Sequence, residues 1–328
     1  MKSEKFLKLT ALFLCIILLL FMISACKKEK PEVKPEPRPE DYEYTLKADD
    51  KIEITRYIGN ESKIAIPEAI DGFTVTSIAD EAFLRDISSA YENKSLISVT
   101  IPYSIISIGR YAFAGCDNLT TINVDNYNPV YSSKDGVLFA KDKDKTTLVY
   151  YPDKKSVSYS IPNSVTHIGD SSFAGSINLA SITIPNSVTD IEFYAFGGCT
   201  GLSSLTIPKS VKYIGFIAFK DCIGLTSLTI PGNVETIDVS AFLECTGLID
   251  VIIEDGVKNI NGGAFSFCTN LTSVIIPDSV IHIGDSADDP LGHAADAFWD
   301  CPNLTIMCSD GSYAHQYCLA NNIKFILK

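Results

Sequence analysis

The chain repeats itself every 23 residues. The unit from Ile184, IPNSVTDIEFYAFGGCTGLSSLT, is followed from Ile207 by IPKSVKYIGFIAFKDCIGLTSLT and from Ile230 by IPGNVETIDVSAFLECTGLIDVI. Two more copies begin at Ile253 and Ile276. One such unit cannot bury its apolar face alone and must do so against its neighbours, so a fixed period in this range predicts a solenoid. The length of 328 residues therefore does not call for two domains, because a solenoid grows by adding coils.

Within the unit from Ile207, the inward candidates are Ile207, Val211, Ile214, Ala218, Phe219, Cys222, Leu225 and Leu228. The segment Leu225-x-x-Leu228-x-Ile230 resembles the core of leucine-rich repeats. Leu228 and Ile230 have strand spacing and share a face. Pro231 has no N–H for a ladder and ends the strand. The expected fold class is a leucine-rich repeat solenoid, mainly β with short turns or helical pieces, with an α/β cap at the C-terminus.

The recurring text IP-x-S-V-x-x-I-G-x-x-A-F-x-x-C-x-x-L-T-S resembles the BspA-type leucine-rich repeat proteins of bacterial surfaces, over about residues 52–328. The core phenylalanines, from Phe83 and Phe113 through Phe173 to Phe298, mark eight coils. The period breaks in three places. One break lies around Gly72 and residues 84–90. A second is a hairpin island at residues 125–160, with strands expected at Gly136–Ala140 and Thr146–Tyr151 around the turn KDKDK. The same island is common in the family it resembles. The third is an acidic insert at residues 285–294. Residues 305–328 read as a short helix and a strand that cap the open end, which otherwise exposes apolar edge.

The N-terminus is organised differently. Lys2, Lys5 and Lys8 precede an apolar stretch from Leu9 to Met22, then Ser24 and Ala25, which is the pattern of a secretory signal over residues 1–25 rather than a permanent membrane helix. Ile23-Ser24-Ala25-Cys26 resembles the lipobox of bacterial lipoproteins, and that resemblance makes Cys26 the lipidated first residue of the mature chain. Residues 26–45 then form a Pro-rich, charged tether unable to build a core. Residues 27–41 reach roughly 45 Å at about 3.1 Å per residue. Removing residues 1–25 takes away three Lys and one Glu, which moves the net charge from −13 to −15. That acidity argues against nucleic acid and against the folded part lying flat on anionic lipid.

Candidate chemistry is sparse. Cys116, Cys199, Cys222, Cys245, Cys268 and Cys301 each follow a core Phe by three residues and form one inward ladder of free thiols. Ser176 takes the same slot in the coil of Phe173, so no pairing is required. Cys308 and Cys318 lie off the ladder, in the cap, and are a candidate disulfide. His167 and His282 share the slot of Tyr213 and read as solvated surface residues. The acidic insert (Asp285, Asp288 and Asp289, with His293) matches no calcium-loop spacing, and no metal or other cofactor is expected.

Two surfaces are candidates for binding. One is the outward side of the sheet, a flat array of small hydroxyls: Ser181, Thr183, Ser204, Thr206, Ser227 and Thr229. The other is the island, where the aromatics Tyr127, Tyr131, Phe139, Tyr150 and Tyr151 gather. No catalytic motif or phosphate loop occurs. The expectation is a lipid-anchored, surface-exposed protein of the bacterial cell envelope that meets an extracellular or host protein or glycan without catalysis. The family resemblance implies surface antigens and adhesins. The alternatives are a metal-dependent hydrolase on the acidic insert and a non-specific envelope spacer.

Overall fold

The structure, a computed structural model, describes residues 35–84, 96–143, 145–152, 154–284 and 296–328. The chain divides into two units, Met1–Glu36 and Pro37–Lys328, and the second holds the solenoid. The expected signal, the lipidation site Cys26 and the acidic insert at 285–294 lie outside the described residues.

The solenoid has about 11 coils, set 23 residues apart, with very little helix. Among the described residues the strands form five sheets, and two of them take most of the coils from His167 onward. One is built from two-residue strands, among them His167–Ile168, Asp190–Ile191, Tyr213–Ile214 and Thr236–Ile237. The other, toward the C-terminus, has the order Ser227–Ile230, Asp250–Ile253, Ser273–Ile275, Thr305–Cys308 and Lys324–Leu327. Register follows the repeat, with Leu228 opposite Val251 and Val251 opposite Val274. Alternate residues point in, so Leu228 and Ile230 are buried and Ser227 and Thr229 are exposed.

Each coil turns at its phenylalanine. Around Phe219 the backbone hydrogen bonds alternate in target. The N–H groups of Ala218, Lys220 and Cys222 bond back three residues within the coil, to Gly215, Ile217 and Phe219. Those of Ile217, Phe219 and Asp221 donate to the carbonyls of Val239, Ala241 and Leu243 in the next coil. No buried donor in this turn is left over, which is what allows a loop to enter the core. The path needs a left-handed residue two before and two after the phenylalanine. Ile217 (φ 48°), Asp221 (60°), Ser240 (55°) and Glu244 (60°) hold it, where other coils place Gly198 or Gly263. For a residue with a Cβ this conformation costs about 1–2 kcal/mol.

The rings stack at the strand spacing. Phe173, Phe196, Phe219, Phe242, Phe265 and Phe298 lie 4.9–5.4 Å apart and within about 10° of parallel. Beside them runs the cysteine ladder. All six thiols are free, as expected, but they are more than small hydrophobes. Each donates to the carbonyl of the previous coil's phenylalanine: Cys199 to Phe173 at 3.1 Å, Cys222 to Phe196 at 3.2 Å, Cys245 to Phe219 at 3.0 Å. Burial pushes the Cys245 thiol up to about 12, so it stays a donor.

Both ends are closed. The tether expected to reach residue 45 is shorter, because Tyr42–Leu46 pairs antiparallel with Lys51–Tyr57. Tyr42 is buried and meets Tyr57 at 5.3 Å, and Tyr57 meets Phe83 at 5.7 Å, so the stack begins before the first phenylalanine. At the other end the helix Tyr313–Asn321 is capped by Ser312, which accepts from the N–H of His315. Tyr317 tilts against Phe298 at 6.3 Å. Asp296 accepts from the N–H of Phe298 at 2.9 Å and from the hydroxyl of Tyr317, which satisfies a donor with no following coil.

Two expected outcomes follow from these contacts. Phe219→Ala should cost about 3–5 kcal/mol in chemical denaturation, because the ring is flanked by rings on both sides and the site cannot collapse. Ser240→Gly should stabilise the chain by about 0.5–1 kcal/mol in the same measurement. It relieves a left-handed residue and removes a buried hydroxyl without a hydrogen-bond partner, in a slot that Gly263 fills one coil on.

Candidate functional site

The island folds as a three-stranded antiparallel meander, Tyr131–Lys134, Val137–Asp142 and Lys145–Tyr150. The two expected strands are there within two residues, and the third precedes them. Its outer strand then pairs in parallel with the solenoid, Thr147 opposite His167 and Leu148 opposite Ile168. The island is therefore part of the long sheet.

That placement corrects the reading of its aromatics as a contact surface. Phe139 and Tyr151 are buried. Tyr151 stacks on Phe173 at 5.0 Å and donates its hydroxyl to the carbonyl of Ser156 at 3.0 Å. Tyr150 packs on Phe113 at 5.6 Å and donates to that residue's carbonyl at 3.0 Å. The hydroxyl of Tyr131 accepts from the N–H of Ile108 at 2.9 Å. Two consecutive tyrosines thus carry the ring stack across the interruption. Tyr127 alone among the five projects into solvent, at 89% exposure. Tyrosine is amphipathic, so a cluster in sequence does not tell a splice from a binding site.

The hydroxyl array is where the alternation placed it. Ser181, Thr183, Ser204, Thr206, Ser227 and Thr229 are all exposed. The sheet beneath them is not continuous. Ser181–Thr183 pairs with Ser158–Ser160, and only an isolated bridge joins Ser181 to Ser204. A groove of about 470 Å³ opens over the next coils, lined by Thr206, Lys209, Ser227, Thr229, Ile252 and Glu254 among others. Lys209 and Glu254 meet across it at 3.4 Å.

Beyond the groove the chemistry of the row changes. Thr229 lies opposite Ile252, Ile252 opposite Ile275, Ile275 opposite Met307, and Met307 opposite Ile326. All lie on the outward side. Ile252 is 44% exposed and Ile326 53% exposed. The row two residues earlier stays polar, with Ser227, Asp250, Ser273, Thr305 and Lys324 in register. The alternation already puts Ile252 and Ile275 on this side in place of Thr229, but the change does not stand out there as a contact surface. Met307 and Ile326 join it only through the pairing of the cap strand.

Cys308 and Cys318, the candidate disulfide, are both free and buried. Burial pushes both thiols up. His167 is not the solvated residue expected. Its Nε2 lies 3.1 Å from Asp190 Oδ2 and its Nδ1 lies 2.8 Å from the hydroxyl of Thr166. Glu192 completes a group whose ligand atoms all lie within 4.8 Å of one another. Among the described residues this is the group with the donor set for a metal ion.

A family model described as BspA type leucine rich repeat region matches six copies, over residues 86–134 and 166–289, more than half of the chain. The chain belongs to the BspA-type leucine-rich repeat family. The match skips residues 135–165, which is where the island departs from the repeat. Among solved structures, this member of the BspA-type family is similar to the pneumococcal vaccine antigen PcpA, with a TM-score of 0.61 and 19% identity over 82% of this chain and 80% of that one. It is also similar to a leucine-rich repeat protein from Eubacterium ventriosum, with a TM-score of 0.56 and 20% identity over 79% of this chain and 92% of that one. At these identities the likeness is one of fold. No curated protein sequence matches.

The splice role of the island has a direct check. Tyr151→Ala should destabilise the protein by about 3–5 kcal/mol in thermal or denaturant unfolding. Tyr127→Ala should leave stability within about 0.5 kcal/mol.

Proposed function

We propose that this protein is a lipid-anchored component of the bacterial cell envelope that presents its solenoid to a protein partner and performs no catalysis. The observation that carries the reading is the outward stripe Ile252, Ile275, Met307 and Ile326, which runs on from the hydroxyl-lined groove beside a polar row. Contiguous exposed apolar residues rimmed by polar ones are what a protein interface uses as its centre. Aliphatic side chains favour a protein over a glycan, since sugars are held mainly by aromatic faces and dense hydrogen bonding. The stripe has no Trp, Tyr or Arg to act as a strong anchor, so the contact is broad rather than concentrated. A net charge of −13 favours a basic partner. The anchor rests on Cys26 behind the apolar segment from Leu9 to Met22, with the Pro-rich stretch after it as a spacer.

The test joins exposure and binding. Protease added to intact cells should cleave the protein. The purified full chain should bind saturably on an array of immobilised extracellular proteins and glycans. The double substitution Ile252→Asp with Ile275→Asp should weaken protein binding at least tenfold, about 1.4 kcal/mol. Tyr127→Ala should bind as the parent does. Protection on intact cells together with no binding would overturn the reading in favour of an internal scaffold or spacer. Glycan binding untouched by the double substitution would overturn the choice of partner and face.

A further inference from the structure

The sheet of two-residue strands also has an outward side, and its chemistry is set by which coil supplies each position. Its first row runs His167, Asp190, Tyr213, Thr236 and Asn259, each in register with the next. Two residues further along each coil, Gly169, Glu192, Gly215 and Asp238 occupy the next outward positions. Most carboxylates here have a donor. Asp238 accepts from the hydroxyl of Tyr213 at 3.2 Å and from Asn261 at 3.4 Å. Asp170 faces Arg110 at 3.5 Å. Asp190 accepts from the hydroxyl of Thr189 and faces His167. Glu192 differs. Glycine lies on both sides of it in its row, so no side chain of that row can reach it. Its carboxylate has no hydrogen bond or ion pair among the described residues.

The Glu192 carboxylate therefore shares its space with His167 and Asp190. The three residues come from two adjacent coils and offer one imidazole nitrogen and two carboxylate oxygens, all within 4.8 Å of one another. The imidazole is held from behind. Thr166 Oγ1 lies 2.8 Å from Nδ1, and that hydroxyl also accepts from the N–H of Thr146 at 3.1 Å, which turns Nε2 toward the carboxylates. Fixing the second ring nitrogen in this way is what orients metal-binding histidines. Burial, then Asp190 and Asp170, push the Glu192 carboxyl up, and burial pushes His167 down.

We propose that His167, Asp190 and Glu192 bind one divalent transition-metal ion, with zinc as the fitting case. A nitrogen with two carboxylate oxygens suits zinc, whereas calcium and magnesium take all-oxygen sets. Water completes the coordination on the open side. The ion ties the coil of His167 to the coil of Asp190, directly beside the strand that joins the island to the solenoid.

The test is calorimetric titration of the metal-stripped full chain with zinc chloride. One zinc per chain should bind, and it should raise the unfolding temperature, since an ion that binds only the folded state stabilises it. Glu192→Gln and His167→Gln should each weaken binding at least tenfold, while their metal-free unfolding temperatures stay within a few degrees of the parent. Cobalt in place of zinc should give a spectrum without thiolate charge-transfer bands, which separates this site from the cysteines. The proposal is overturned if the parent binds no zinc, if both variants bind as tightly as the parent, if the cobalt spectrum shows thiolate ligation, or if calcium binds in zinc's place.

Discussion

The structure depends on one vertical interaction, the meeting of equivalent residues on successive coils. A phenylalanine from each coil stacks on the next at about the distance between hydrogen-bonded strands, so ring packing and backbone pairing demand the same rise. The turn around each ring from Phe173 to Phe265 supplies three N–H groups to the next coil and uses the intervening ones within itself. A free thiol adds a further donor, pointed back at the preceding coil. Nothing in this scheme is long-range in sequence, because each contact joins residues one repeat apart. Stability then grows by neighbour terms, and the ends become the places that need special chemistry. Tyr42 and Tyr57 supply it at the start, and Asp296 with Tyr317 supplies it at the finish.

The island shows how the constraint survives an interruption. Phe113 and Phe173 are too far apart in sequence to be successive coils. The chain fills the gap with a meander whose outer strand enters the long sheet, and with Tyr150 and Tyr151 whose rings continue the stack in either direction. Their hydroxyls would cost stability if buried unpaired, and each finds a backbone carbonyl. The island is thus a splice, and the surfaces left for partners are the outward rows of the two sheets.

Those rows share one rule with opposite results. In-register stacking turns any residue repeated at one slot into a stripe. Where the slot holds serine or threonine the stripe is hydroxylic; where it changes to isoleucine it becomes apolar. On the other sheet a histidine in one coil and carboxylates in the next produce a compact group with the donor set for a cation. Function on such a scaffold is written in the differences between coils, while the agreement between coils is spent on the core.

Much of this was legible in the residues. The period alone determined the fold class, the inward identity of Phe219, Cys222 and Leu228, the outward identity of Ser227 and Thr229, and the existence of an island. These follow from local rules of alternation and burial that act within one unit. Only the tertiary structure decided that Tyr151 buries itself and Tyr150 packs on Phe113, that Met307 and Ile326 extend the isoleucine stripe, and that Glu192 turns toward His167 and Asp190. Each of these depends on which coil lies alongside which. Side chains 20 or more residues apart meet only after the backbone has been wound, and an interruption resets the register in a way that the repeat cannot foretell.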